Sequence, residues 1–192
     1  MAFDAYLYFS EKGNGGKSSL QPQGESLIAK GAITLAESWG FGVENKLNIK
    51  ATTQGGGSGK AEFQEFKVKK AVDAASPHLY LSLCQGVVYN HVYLVLQKST
   101  GGQSGTQSTA PYLIWEFIGF MIEKIDWSHA DDEPEEEVTF KFGACQISYS
   151  QQAETGALKA AAPAAWDQLT NSNSPNPPFK QFTQPAAGTA TV

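Results

Sequence analysis

Apolar and polar residues alternate along the first ten residues of the chain, as they do in a β-strand with one buried face. The odd-numbered residues from Phe3 to Phe9 are all apolar, whereas the even-numbered ones begin with Asp4. Similar runs rich in β-branched and aromatic residues predict further strands. These runs cover residues 27–45, 47–53, 61–72, 87–98, 110–129 and 138–150.

Glycines inside two of these runs indicate bends. Gly40 and Gly42 bracket Phe41, a pattern typical of a bulge or bend in a curved sheet. Gly119 interrupts the run at 110–129, which is therefore predicted to form one bent strand or two strands. In the last run the large apolar residues share one face: Val138, Phe140 and Phe142.

One segment has the period of a helix. Ser76 is a suitable N-cap, Pro77 suits the first turn, and Gly86 is a suitable C-terminal stop. One apolar face is formed by residues four apart: Leu79, Leu83 and Val87. The sequence therefore predicts one short α-helix in a chain that is otherwise made of strands.

Polar and glycine-rich segments separate the predicted elements. Loops are expected at residues 13–16, 55–59 and 101–105, and the acidic run at 131–137 is expected to be a turn. The residues predict a small all-β domain that forms a closed or nearly closed barrel.

The composition changes from Gln151, where Ala, Pro, Asn, Gln, Ser and Thr begin to dominate. A short helix is possible before Pro163, but isolated aromatic residues such as Trp166 and Phe179 cannot bury much surface. The expected organisation is a β-domain at residues 1–150 and a low-complexity tail at 151–192 that is disordered or peripheral.

The charge distribution excludes several classes of partner. The chain has 192 residues and a net charge of −5, and all 14 basic residues are lysines. An acidic chain without arginine is a poor candidate for binding nucleic acid or anionic lipid. No apolar run approaches the roughly 20 residues of a membrane span, and no basic segment marks a secretory signal. Buried, reduced thiols are therefore expected at Cys84 and Cys145.

Residues 11–19, EKGNGGKSS, resemble a phosphate-binding loop only in part. The Gly-Lys-Ser at 16–18 matches the end of the motif G-x-x-x-x-G-K-[ST]. Glu11 stands where the first glycine is required, and its carboxylate would repel a phosphate. Pro22 follows where the motif must open a helix. A surface loop is predicted here, with no bound nucleotide.

No local motif predicts catalysis. The histidines His78, His91 and His129 lie far apart, and none accompanies a nucleophile motif. A triad assembled with Ser76 or Cys84 from distant residues stays open as an alternative. We nevertheless predict no catalytic residues, no cofactor and no metal site.

The acidic run at 131–137 has Pro134 at a position where a calcium loop would need glycine, so a solvated turn is the favoured interpretation. Alternatively, these carboxylates dock against lysines of a partner subunit: Lys67, Lys69 or Lys70. Assembly is also indicated by the dense apolar residues at 112–127, which occupy both faces of the strand.

Several segments, taken in order, resemble the Hcp family, whose members form the inner tube of the bacterial type VI secretion system. MAFDAYLYF resembles the family's first strand, and ITLAESWGFGVEN resembles its I-x-V-x-S-W-x-x-G segment through Ser38, Trp39 and Gly40. EFIGFMIEKIDWS and PEEEVTFKFGACQISY resemble its final strands.

The most specific resemblance lies in FKVKKAVDAASPHLYLSLCQG, which follows the family pattern K-x-x-D-x-A-S-P-x-L…G. The matching residues include Lys70, Asp73, Ser76 and Pro77. The resemblance spans residues 1 to about 150.

The resemblance implies a mainly β protein, a two-sheet β-barrel with one short α-helix and a flexible C-terminal extension, that assembles as a hexameric ring. Rings would stack into a tube that a contractile sheath expels, with spike proteins and effector cargo as further partners. The glycine-rich loop would reach a neighbouring ring through Gly13, Asn14, Gly15, Gly16 and Lys17. Such a protein is made in the cytoplasm and then secreted without a signal peptide, and it is not an enzyme.

Two other functions stay open. One is a tube protein of a phage-tail-like contractile injection particle, which would share the barrel and the ring. The other is an effector or enzyme built on a β-barrel scaffold, which would have a concave pocket with perturbed titratable groups.

Overall fold

The structure is a computed structural model, and it describes residues 3–26, 30–35, 38–46, 59–100, 108–130, 133–151, 159 and 163–183. The strands are β1 (Phe3–Phe9), β2 (Ile33–Thr34), β3 (Ser38–Gly40), β4 (Val43–Asn45), β5 (Ala61–Phe63), β6 (Phe66–Ala71), β7 (Val88–Tyr89), β8 (Val92–Thr100), β9 (Ser108–Ile118), β10 (Phe120–Ala130), β11 (Glu133–Lys141), β12 (Ala144–Tyr149) and β13 (Ala164–Asp167). The helix α1 (Ser76–Gln85) lies between β6 and β7, and a short 3-10 turn covers Asn14–Gly16.

The strands form two curled sheets that together make a half-barrel, which confirms the predicted fold class. The six-stranded sheet has the order β13-β12-β9-β8-β1-β2, and the five-stranded sheet has the order β3-β6-β11-β10-β7. All pairings in both sheets are antiparallel. A separate pair, β4 and β5, follows the bend at Gly40 and Phe41.

Two glycines carry the chain from one sheet to the other at adjacent corners. Gly119 separates β9 from β10 and has a φ of 65°, a left-handed conformation that favours glycine. Gly143 separates β11 from β12, and its N–H donates to the carbonyl of Ile118 at 2.9 Å. The apolar run at 110–129 therefore forms two strands that belong to different sheets.

The core lies between the inner faces of the two sheets. Phenylalanine rings from both sheets meet there, with Phe117 and Phe120 at 5.3 Å between ring centroids and Phe120 and Phe140 at 4.7 Å. These side chains are fully buried, and Leu79 of α1 joins the same cluster. Alternation along β9 and β11 places these residues on the inner face, as the sequence predicted for Phe140.

The helix ends as predicted but begins differently. Gly86 has a φ of 60° and caps the C-terminus of α1 through its N–H. Ala75 occupies the N-cap position and makes no side-chain cap, so the prediction of Ser76 as N-cap is wrong. The side chain of Ser76 instead accepts a hydrogen bond from the N–H of Asp73 at 3.0 Å.

Two other predictions are corrected. Glu133 to Glu137 belong to β11, so this part of the acidic run is a strand and not a solvated turn. His91 does not lie within a strand; it occupies the turn between β7 and β8 with a φ of 52°. The expected strand at 47–53 and the glycine-rich segment at 101–105 lie outside the described residues.

Part of the predicted tail belongs to the barrel. β13 pairs with β12 and is the outermost strand of the six-stranded sheet, so these residues of the tail are peripheral but ordered. Residues 179–183, here called the strap, lie on the outer face of the same sheet, where Phe182 contacts tyrosine rings. The short helix expected before Pro163 falls largely outside the described residues.

Candidate functional site

The glycine-rich loop after β1 is held at its base and exposed at its tip. The N–H of Gly13 donates to Leu20 at 3.1 Å, and the side chain of Asn14 accepts from the N–H of Val88 at 2.9 Å. A Cβ at residue 13 would overlap the side chain of Val87, so close approach of the chain requires glycine there. The tip, Gly15 to Lys17, is exposed, and Gly15 and Gly16 have positive φ angles.

The Ser-Trp-Gly segment forms β3 at one edge of the five-stranded sheet. Trp39 lies opposite Val68 of β6, while Ser38 and Gly40 lie opposite Lys69 and Lys67. The Trp39 ring meets Trp115 edge-on at 5.5 Å between ring centroids. This segment therefore joins the edge of one sheet to the inner face of the other.

The D-x-A-S-P segment forms the first of two polar tethers. Lys70 on β6 places its Nζ 2.8 Å from Asp73 Oδ1 and 2.8 Å from Glu136 Oε1. Ser76 Oγ donates to Glu136 Oε1 at 2.8 Å, and Trp127 Nε1 donates to Glu136 Oε2 at 3.1 Å. We call these five residues the helix clamp. Pro77 follows Ser76 in the first turn of α1.

The charged centre of the helix clamp is buried, and this explains which residue types surround it. Glu136 is 0% exposed and Lys70 is 3% exposed. A charge that is removed from water must be compensated by an opposite charge and by hydrogen bonds. Glu136 has both, since a lysine, a serine and a tryptophan all reach its carboxylate. The clamp therefore fixes the start of α1 to β6, β10 and β11.

The second polar tether lies on the outer face of the six-stranded sheet. Glu116 of β9 is 2% exposed, and its Oε1 lies 2.6 Å from His91 Nδ1. The backbone N–H of Lys180 donates to Oε1 at 2.9 Å and to Oε2 at 3.0 Å, and Tyr93 donates from its hydroxyl at 3.4 Å. Burial raises the pKa of Glu116, and the hydrogen bonds from His91 and Lys180 oppose that shift.

An aromatic surface surrounds Glu116. Phe182 of the strap lies 5.3 Å from Tyr8 and 5.1 Å from Tyr93 between ring centroids. Burial raises the pKa of Tyr8 to about 12, and burial followed by the Glu116 charge raises the pKa of Tyr93. The second apolar face of β9 was expected to need a partner. The chain itself supplies part of that partner, through the strap.

The structure does not support the other hypotheses drawn from the sequence in this way. Lys69 forms an ion pair with Glu135, and Lys70 forms one with Glu136, both within the same chain. These lysines therefore do not need the carboxylates of a partner subunit. Among the described residues, no three His, Cys, Asp or Glu side chains converge as metal ligands do. Within the same part of the chain, no helix is long and apolar enough to cross a membrane. Cys84 is exposed rather than buried, and Cys145 is partly buried.

Sequence reasoning found one side of the helix clamp and missed the other. Lys70, Asp73 and Ser76 were singled out by the family resemblance. Glu136 was assigned to a turn, although it lies two residues before Val138 and so shares the inner face of β11. For Glu116 no signal was available, because it points away from the core between Trp115 and Phe117, as a solvated residue would.

Comparisons with known proteins agree with this fold. The family model described as "Type VI secretion system effector, Hcp" matches residues 19–149. A search among curated proteins finds no significant match.

Several solved structures have the same fold, and the superposition covers nearly the whole length of each of them. A structure of a type six secretion system protein superposes with a TM-score of 0.71 at 23% identity, covering 89% of this chain and 99% of that one. Hcp1 from Salmonella typhimurium gives 0.63 at 21% identity, with 89% and 98% covered. A type VI secretion system effector from Yersinia pestis gives 0.59 at 22% identity, with 85% and 98% covered. Because the family model matches well over half of the chain, this protein belongs to the Hcp family of the type VI secretion system.

Proposed function

We propose that this chain is a structural tube subunit of a type VI secretion system, in which six copies close into a ring and rings stack into a tube. A contractile sheath would expel the tube, which would meet spike proteins at its end and carry effectors in its lumen. The observation that carries the proposal is the family match across residues 19–149, which includes the helix clamp, the whole five-stranded sheet and four of the six strands of the other sheet. The protein would be made in the cytoplasm and exported without a signal peptide.

A structural role also agrees with what the buried polar groups do. Each of the two polar tethers uses its acid to hold a chain segment in place, through hydrogen bonds that are already made. A catalytic acid or base would need a proton that a substrate can reach, whereas both carboxyl groups are buried, with Glu116 2% and Glu136 0% exposed. We therefore infer assembly, and not turnover, as the activity of this subunit.

The direct test is the mass and shape of the purified protein. Light scattering should give about six times the chain mass of 20.6 kDa, and negative-stain images should show rings with six-fold symmetry. A monodisperse monomer over a wide range of concentration would contradict the proposal.

We further propose that the glycine-rich loop at residues 13–17 contacts the neighbouring ring through its exposed tip, Gly15 to Lys17. Lys17→Glu should leave the ring mass unchanged and shorten the stacks seen by electron microscopy, because it reverses a charge at the ring junction. Lys12→Glu is the matched control, since Lys12 is an exposed lysine of the same loop outside the tip. Equal stack lengths in both variants and the wild type would argue against this role of the loop.

A further inference from the structure

The outer face of the six-stranded sheet is unusually apolar for a face that points away from the core. Alternation along β1 and β8 places Tyr6, Tyr8, Tyr93 and Val95 there, and these side chains are all buried. By contrast, the outer face of the five-stranded sheet carries ion pairs such as Lys69–Glu135. The aromatic face therefore requires a cover, and the strap supplies part of it.

The strap is held by a few well-defined contacts. Its main-chain anchor is the N–H of Lys180, which both oxygens of Glu116 accept. Its side-chain anchor is Phe182, between the rings of Tyr8 and Tyr93. A further contact is an exposed ion pair between Lys180 Nζ and Glu11 at 3.8 Å, and such pairs contribute little.

The strap does not fill the surface that it covers. A cavity of about 770 Å³ lies on one side of it, lined by Tyr8, Gln21, Glu25 and Lys30 among others, and a second of about 460 Å³ lies on the side of β12. The hydroxyl of Tyr8 is buried and has no hydrogen-bond partner among the residues that the structure describes. Phe182 itself is only half-buried. The surface is therefore a groove that holds the strap without enclosing it.

The connection to the strap permits it to reach further than its own groove. Residues 173–178 have the sequence NSPNPP and are largely exposed. They follow the turn in which Asp167 bridges to Ser172, which anchors the segment to β13. Six residues can span roughly 20 Å when extended.

We propose that this groove is a docking site for the strap of a second copy of the chain, so that neighbouring subunits exchange straps. The inference rests on the proposed ring, which would place copies side by side. The groove recognises an extended segment with a free main-chain N–H two residues before an aromatic ring, and residues 180–182 of another copy present the same groups. Because the contacts are identical within and between chains, the exchange costs little, and a neighbour held in a ring has a high effective concentration.

The test uses two preparations of the full chain that differ in isotope. One carries Phe182→p-benzoylphenylalanine, a photoreactive group, and the other is ¹⁵N-labelled and otherwise wild type. The two are mixed at low concentration, concentrated, irradiated and digested, and mass spectrometry assigns each cross-link. We expect cross-links from the light residue 182 to heavy peptides that contain Tyr8 or Tyr93. Cross-links confined to light peptides, in rings that native mass spectrometry shows to contain both isotopes, would overturn the proposal.

Two variants make the result specific. Glu116→Gln in the heavy chain should reduce the mixed cross-links at least threefold, because the amide offers only one acceptor oxygen to the N–H of Lys180. A photoreactive group placed at Ser174, in the connection, should give few cross-links to either tyrosine. If neither change lowers the yield of mixed cross-links, the cross-links arise from random collision, and this result would also overturn the proposal.

Ring mass, measured on the same samples, separates this proposal from the proposed function. Six-fold rings that contain both isotopes but give light–light cross-links alone refute strap exchange and leave the tube subunit intact. Mixed cross-links without rings support exchange and count against the ring.

Discussion

Two buried carboxylates hold chain segments to this barrel, and they do so in different ways. Glu136 lies on the inner face of β11, where Lys70 and two further donors bind it and fix the start of α1. Glu116 lies on the outer face of β9, where a histidine and the N–H of Lys180 bind it and hold the strap. The first is balanced by a lysine ammonium, and the second chiefly by a histidine and neutral donors.

This difference indicates which of the two polar tethers stays closed as long as the protein is folded. An ammonium and a carboxylate that are both buried depend on each other, because either one alone would be an uncompensated charge away from water. A main-chain N–H that leaves a carboxylate at the surface can instead be replaced by water at small cost. We therefore expect the helix clamp to fail only when the protein unfolds, and the strap to open while the barrel stays folded.

The largest expected effect comes from breaking the helix clamp. Lys70→Ala should lower the free energy of unfolding by about 3–5 kcal/mol, because it leaves Glu136 buried without its partner. Urea unfolding followed by tryptophan fluorescence measures this change.

The neighbouring lysine provides the matched control. Lys69 pairs with Glu135 at 2.6 Å, but its side chain is 41% exposed. Lys69→Ala should therefore cost no more than about 1 kcal/mol. Equal losses for the two variants would mean that burial does not distinguish the two pairs, and the comparison would fail.

The next effect concerns the strap. Glu116→Ala removes the acceptor of the Lys180 N–H and the partner of His91, and should cost about 1–3 kcal/mol. Its main sign is local: hydrogen exchange at the amide of Lys180 should become much faster, while core amides of β8 change only through the global loss. Glu116→Gln, which keeps one acceptor oxygen, should lie between the wild type and the alanine variant. A strap amide that exchanges as slowly in the alanine variant as in the wild type would show that Glu116 is not its anchor.

A pH titration sharpens the same point. Burial raises the pKa of Glu116 above its ordinary value of 4.5, so the folded chain holds this proton more tightly than the unfolded chain does. The group therefore contributes stability that is fully present below pH 4.5 and is lost as the pH rises through its folded pKa. The free energy of unfolding of the wild type, minus that of Glu116→Gln, should fall with rising pH by at most about 1.4 kcal/mol per unit, and then level off. A difference that rises with pH would reverse the assigned cause.

Much of the barrel follows from the sequence because its signals are local. Alternation gives β1 and the inner face of β11, and Gly119 marks the corner because only glycine adopts its conformation without strain. The resemblance supplies Lys70, Asp73 and Ser76. Glu136 was within reach, since it continues the alternation that ends in Phe140, but an acidic residue in a core position contradicts the usual preference for burial.

The second tether could not be predicted because it joins residues far apart in the chain. Glu116 and Lys180 are separated by 64 residues, and the contact uses a backbone N–H, which any residue possesses. Low-complexity composition suggested that residues beyond Gln151 would not pack. Only the pairing of β13 with β12 brings this segment onto the sheet, and pairing depends on tertiary structure.

The smallest expected effect tests how far the charge of Glu116 reaches. Cys145 of β12 is packed against the core, and burial, followed by the Glu116 charge, raises its thiol pKa from 9.0 to about 12. At a given pH below 9 this shift leaves about a thousandfold less thiolate, so Cys145 should react far more slowly than the exposed Cys84 with a thiol reagent at pH 8. Glu116→Gln should speed the reaction of Cys145 only a few-fold, since burial is the larger cause, and should leave the rate of Cys84 unchanged as an internal reference. If Cys145 instead became as reactive as Cys84, loss of the charge alone could not explain it. The second tether would then protect the edge of the sheet as well as the strap. Glu116, like Glu136, would in that case help to hold the barrel itself together.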